Sequence, residues 1–181
     1  MKNKRGLIIL LGAVGAVSGV LIARHYTPRI PMKAKPVKDF DIEKYLGKWY
    51  EIARIDTRFE KNLIKTSAQY TMNEKGGISV LNKGWNAKKN TWKVANGKGK
   101  FVGAKDIGML KVSFFGPFYG GYNILALDKD YKYALVAGNN LDNLWILSRE
   151  KKIPLEIMNE YLSVAKSVGY DTAELFWVPQ Y

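Results

Sequence analysis

The sequence predicts an all-β domain, a meandering antiparallel sandwich or barrel, followed by one helix and preceded by an apolar N-terminal segment. Three observations carry this reading. Short runs rich in Tyr, Trp, Phe, Val and Ile recur from Trp49 onward, the composition of pleated, half-buried surface. One late stretch carries apolar residues at helical spacing. Residues 7–23 bear no charge, and a chain of 181 residues accommodates one compact domain plus an appendage.

The N-terminal segment has the pattern of an export or anchor signal. Lys2, Lys4 and Arg5 precede the apolar run, and Arg24, His25 and Arg29 follow it. As a helix it would span about 26 Å against a hydrocarbon core of roughly 30 Å, so its flanking cations would have to snorkel. Ala13, Gly15, Ala16 and Gly19 equally offer small-residue cleavage sites. Residues 1–26 are therefore read as a signal peptide or a membrane anchor, and the protein is expected to be exported to the periplasm or cell envelope. Unless cleaved, this hydrophobic segment would hold it at a membrane. Residues 27–39, with Pro28, Pro31 and Pro36 among basic side chains, form an extended linker, either solvated or resting on anionic head groups.

Eight β-rich runs follow, at roughly 49–56, 67–73, 78–85, 92–104, 109–115, 122–128, 134–139 and 143–149. Glu74-Lys75-Gly76-Gly77, residues 86–90, Gly116-Pro117 and residues 128–132 separate successive runs and are short enough for hairpins. Gly97-Lys98-Gly99, inside the fourth run, predicts a bend or bulge. The first connection, 57–66, is the longest and carries Phe59, Leu63 and Ile64, either a lid or contact surface or apolar residues tucked beneath the loop. After the eighth run, Pro154 suits a first helical position and Gly169 a cap. Between them Ile157, Met158, Tyr161, Leu162, Ala165 and Val168 form an apolar stripe expected to pack on the outside of the sheet. Phe176-Trp177-Val178 predicts a short edge strand.

Charge and composition exclude several functions. The net charge of +13 is concentrated in residues 1–38, which hold eight Lys or Arg and no acid, leaving 21 basic against 16 acidic residues in the rest. With no reader motif accompanying that small excess, nucleic acid is not an expected partner. The chain has no Cys, which removes disulfides, thiol catalysis, thiolate metal sites and Cys-linked lipid anchors. Its sole His, His25, precedes the β-rich part, so no Ser/His/Asp arrangement, haem ligand or His-based metal site is expected there. No glycine-rich phosphate loop is present. Glu51 is a candidate inward-facing acid, with no second acid predicted beside it. No cofactor is expected.

Three segments carry a family resemblance. They are Tyr45-Leu46-Gly47-Lys48-Trp49-Tyr50-Glu51-Ile52-Ala53-Arg54, then Lys111-Val112-Ser113-Phe114-Phe115-Gly116-Pro117-Phe118-Tyr119-Gly120-Gly121-Tyr122-Asn123, and Leu144-Trp145-Ile146-Leu147-Ser148-Arg149. With the turn Asp128-Lys129-Asp130-Tyr131 before the last of them and one helix after it, they resemble the lipocalin family, its bacterial members above all, over residues 40–179. The resemblance implies an eight-stranded antiparallel up-and-down β-barrel, open at one end, with the C-terminal helix packed outside. It also implies binding, storage or transport of fatty acids, lysophospholipids or similar amphiphiles in the cell envelope, without enzymatic activity, and a possible homodimer. The alternatives are a lipid-acting, isomerase-like enzyme on the same scaffold and a protein-interaction module. Gly47, Trp49 and Arg149 are expected to be structural, the Arg149 guanidinium lying across the Trp49 indole where first and last strands meet. Bacterial lipocalins are commonly lipoproteins acylated on an N-terminal Cys. This chain has no Cys, so attachment would rest on residues 7–23.

If Trp49 faces inward, alternation along the first strand adds Glu51 and Ala53, and the resemblance extends the lining strand by strand. The ligand-binding candidates are Glu51, Ala53, Ala68, Tyr70, Val80, Asn82, Phe101, Val112, Phe114, Tyr122, Ile124, Val136, Asn143 and Trp145. Met72, Ala126 and Leu147 join them on the same argument. Tyr70, Tyr122, Asn82 and Asn143 are candidates to hydrogen-bond a polar head, and Arg54, Arg58 and Lys65 form either an anion-attracting rim or a merely solvated one.

Overall fold

Among the described residues of the computed structural model, 30–55, 60–74 and 76–181, nine strands form one antiparallel sheet. The expected apolar helix over 7–23 and the rim and loop residues Arg58 and Phe59 lie outside the described residues. The strands are β1 (Gly47–Ile55), β2 (Leu63–Met72), β3 (Ile78–Asn86), β4 (Thr91–Phe101), β5 (Met109–Phe115), β6 (Phe118–Leu127), β7 (Tyr133–Ala137), β8 (Leu144–Ser148) and β9 (Leu175–Trp177).

Consecutive strands from β2 to β8 pair as hairpins, and β1 closes the sheet into a barrel because both its edges are used. One edge pairs with β8, from Tyr50↔Ser148 to Arg54↔Trp145. The other pairs with β2 from Gly47↔Tyr70 to Tyr50↔Ser67, and beyond that point β9 takes over at Ala53↔Trp177. The eight expected runs are the eight barrel strands. β2 begins at Leu63, so part of the expected first loop is strand, and β6 begins at Phe118, so the Gly116-Pro117 hairpin is tight.

The barrel separates two apolar cores. Its outer face, with Ile52, Leu135, Leu144 and Ile146, packs against Tyr161, Ala165 and Val168 of the helix α2 (Leu155–Val168). This is the expected C-terminal helix, ended by Gly169 at φ 115°, a left-handed position that only glycine adopts freely. Inside, Trp49, Tyr70, Leu110, Ile124, Val136 and Leu147 belong to a second cluster. A single-turn helix α1 (Ile42–Tyr45) precedes β1 and was not foreseen from the sequence. It is capped by the Asp41 carboxylate, which accepts the Glu43 backbone N–H at 3.0 Å.

Irregularities of the ladder decide which side chains face in. The register between β1 and β8 shifts between Glu51 and Ala53, a bulge that resets the alternation. Ala53, expected inside, therefore joins the outer core, and Arg54, expected at the rim, is fully buried beside Glu51. A second shift in β6, between Ile124 and Ala126, likewise sends Ala126 to the outer core. The bulge expected at Gly97-Lys98-Gly99 is absent: β4 pairs with β3 without a break from Ile78↔Gly99 to Asn86↔Thr91. Gly97 instead makes room, since a Cβ there would lie 2.8 Å from the Phe114 ring.

The C-terminal residues seal the seam where β1 and β2 part. Val178 N–H donates to Ile52 O, and Lys65 N–H to Pro179 O. The buried Gln180 amide nitrogen donates to Glu51 O at 2.7 Å and Thr66 O at 2.9 Å. Gln180→Ala leaves both buried carbonyls without this donor and is expected to cost about 1–3 kcal/mol in a urea titration. A midpoint within error of wild type would show the seam holds without it.

Candidate functional site

One end of the barrel is closed. Trp49, fully buried, donates its indole N–H to Tyr45 O at 2.8 Å, and the Arg149 guanidinium carbon lies 3.9 Å from the Trp49 ring centroid. Arg149 also does what the sequence did not announce: it donates to four backbone carbonyls, those of Lys44, Tyr45, Lys48 and Tyr131, at 2.8–3.1 Å. One side chain thus ties α1, β1 and the β6–β7 turn together. Gly47, at φ 97°, is required twice, because any Cβ would also sit 3.2 Å from Arg149 Nη1.

Above this plug, Tyr45, Tyr122 and Tyr70 form a floor of hydroxyls, Tyr45 Oη to Tyr122 Oη at 2.7 Å and Tyr70 donating to Tyr122 at 2.9 Å. Burial first of all pushes the pKa of all three phenols up, so they stay neutral and bond to each other.

From that floor to the open end runs a cavity of about 700 Å³. Of the residues expected to face a ligand, Glu51, Ala68, Tyr70, Val80, Asn82, Val112, Phe114, Tyr122, Asn143, Trp145 and Leu147 line it. The others do not. Ala53 and Ala126 lie outside the barrel for the reasons given above, and Met72 is solvent-exposed. Phe101, Ile124 and Val136 face the interior but belong to the packed plug around Trp49 and Phe40, below the floor. Tyr70 and Tyr122, expected to reach a polar head, direct their hydroxyls to one another. Lys65 is not part of the wall, and its ammonium lies 5.1 Å from the Tyr181 ring centroid. Leu63, expected either in a lid or contact surface or tucked beneath the first loop, is buried and lines the cavity as the first residue of β2.

Reasoning from sequence missed several wall residues, chiefly Glu60, Thr66, Lys93, Ala95, Asn139 and Asp142. Lys93 and Ala95 were accessible, since counting back in twos along β4 from Phe101 reaches both.

The cavity holds an unforeseen charge cluster. Arg54 Nη1 donates to Glu51 Oε1 at 2.6 Å, and its other terminal nitrogen donates to the carbonyls of Glu60 and Leu63. The Glu60 carboxylate accepts the Trp145 indole N–H at 3.3 Å. A second acid therefore does stand near Glu51. Burial, and then the neighbouring Glu60, push the Glu51 carboxyl up to about 7, against the pull of Arg54. Asn82 also lines the cavity, its side-chain carbonyl oxygen buried in the wall without a hydrogen-bond partner. Among the described residues no cluster of His, Cys, Asp or Glu could hold a metal ion.

A closed up-and-down barrel of eight strands, plugged at one end and hollow at the other, is the architecture of proteins that enclose one small apolar ligand. This chain belongs to the lipocalin family, residues 40–180 matching the lipocalin-like domain. It is 47% identical over 165 residues to outer membrane lipoprotein Blc of Escherichia coli, covering 91% of this chain and 93% of the relative. To apolipoprotein D of Mus musculus it is 36% identical over 151 residues, covering 77% of each. Among solved structures, insecticyanin of the tobacco hornworm superposes with a TM-score of 0.68 at 21% identity, covering 84% of this chain and 87% of that one, a likeness of fold. Among the described residues no helix is long and apolar enough to cross a membrane.

Proposed function

We propose that the protein binds one single-chain amphiphile, a fatty acid or lysophospholipid, and stores or carries it in the cell envelope without altering it. The observation that carries this reading is the open cavity itself. Its wall is largely apolar, with Val80, Val112, Phe114 and Leu147, and a few polar side chains, Glu51, Asn82, Lys93 and Asn143 among them, stand in it. An alkyl chain suits the apolar surface and a polar end the few polar groups. The name of the Escherichia coli relative supports an envelope location.

The proposal is tested by solvent extraction and mass spectrometry of the purified protein, with titration of a fluorescent fatty acid. A reproducible, unmodified lipid is the expected result. Time-dependent conversion of added lipid would make the protein an enzyme and overturn the carrier reading.

Neighbouring residues on β8 supply a sharper comparison. Trp145 lines the cavity, whereas Ile146 is fully buried in the outer core under α2. Trp145→Ala is expected to weaken fatty-acid binding about tenfold, equivalent to about 1.4 kcal/mol. Ile146→Ala should instead destabilise the fold by about 2–5 kcal/mol with affinity nearly unchanged. The reverse order in the titration would place the ligand elsewhere.

A further inference from the structure

The folded part's positive charge is not spread evenly. Residues 78–127, the span from β3 to β6, carry eight Lys and a single acid, Asp106, while the remainder of 39–181 has two more acids than bases. Asp106 sits at the closed end, where its carbonyl accepts the Phe40 N–H. The mouth half of this face is therefore of one sign: Lys83, Lys88, Lys89, Lys93 and Lys98 are all exposed.

The same half displays large apolar side chains. Phe115 is 76% exposed, Val94 53%, Phe118 50% and Trp92 48%. Phe115 and Phe118 flank the Gly116-Pro117 turn at the open end, and Phe115 also lines the cavity, so the apolar rim is continuous with the hollow. Lysines interleave with the rings: Lys83 Nζ lies 4.5 Å from the Trp92 centroid, and Lys98 and Lys111 lie 5.9 and 5.3 Å from that of Tyr119. Trp85 packs edge-on against Trp92 at 5.5 Å. Aromatic rings set among lysines match the boundary of a bilayer, where rings sit at head-group level and ammonium groups meet lipid phosphates.

We propose that the open rim, formed by the β3–β4 and β5–β6 hairpins, docks on an anionic lipid bilayer with Trp92, Phe115 and Phe118 at the head-group boundary and Lys88, Lys89 and Lys93 on the phosphates. This contact is separate from any held by the N-terminal segment, and it sets the barrel mouth-down. A ligand then passes between bilayer and cavity without crossing water. The exposure of Phe115 at the mouth and the one-signed charge of this face have a common explanation in this orientation.

The test uses the full chain, whose lack of cysteine allows a single labelled site. Ala87→Cys places an environment-sensitive dye at the tip of the β3–β4 hairpin, and Lys129→Cys places one on the β6–β7 turn at the closed end. With vesicles containing about a third phosphatidylglycerol, the residue-87 dye should shift to the blue and be quenched by lipid-borne quencher, and the residue-129 dye should not. Neither should respond to vesicles of phosphatidylcholine alone or at about 0.5 M salt, where surface charge is screened. Adding Lys88→Glu and Lys89→Glu should weaken the residue-87 response at least tenfold, while fatty-acid binding in solution stays intact. Equal quenching at both ends, or a response indifferent to lipid charge, would overturn the proposal. So would a residue-87 shift that instead follows protein concentration without lipid, which would assign the face to a second copy.

Discussion

Arg149→Ala is expected to lower stability by about 3–5 kcal/mol, a fall in Tm of roughly 6–15 °C for a domain of this size. The loss combines two effects. The cation–π contact with Trp49 contributes about 0.5–2 kcal/mol. The larger part is that carbonyls of Lys44, Tyr45, Lys48 and Tyr131 lose a donor together, and Trp49, fully buried beneath, loses its cover. Because the guanidinium is a planar fork reaching several carbonyls at once, Arg149→Lys should recover only a minor part of the loss. A melting curve that coincides with wild type would show that the plug closes without this residue.

Where the sequence was informative and where it was silent have separate physical causes. Strand existence was legible because turn residues punctuate apolar runs, and β5 was located to the residue. Inward and outward faces were legible only where the ladder is regular. At β1 the extra residue between Glu51 and Ala53 reverses the alternation, and nothing in Glu51-Ile52-Ala53-Arg54 distinguishes that bulge from an unbroken strand. An arginine is ordinarily assigned to the rim because an unpaired buried charge is costly. Arg54 is tolerated inside because Glu51 and the carbonyls of Glu60 and Leu63 receive it, and those partners meet only in the closed barrel.

Depth along the barrel was also invisible. The family resemblance implied that Phe101, Ile124 and Val136 point inward, but whether an inward residue packs or lines space depends on the plug, and the plug depends on α1. That helix is one turn long, too short to leave a helical period. Gly97 shows a related limit: a strand glycine signals a bend or a close approach, and only the position of the Phe114 ring decides which.

Binding of an anionic amphiphile is expected to weaken as pH rises through about 7, because Glu51 then ionises. Below that point Glu51 carries a proton; above it the Glu51 carboxylate adds one negative charge to a wall that also holds Glu60. At an effective dielectric of about 20, a ligand carboxylate roughly 8 Å away feels about 2 kcal/mol of repulsion, a loss of about tenfold or more in affinity between pH 6 and 8.5. Stability moves the same way. An unfolded Glu gives up its proton near 4.5, whereas the folded one keeps it to about 7, so the folded state is favoured most below 4.5 and loses that advantage across the interval between. Glu51→Gln, which keeps the shape but cannot ionise, should hold the affinity for a fluorescent fatty acid flat across the range. A variant whose pH profile follows wild type would place the titrating group elsewhere, and a profile that strengthens with rising pH would reverse the sign argued here.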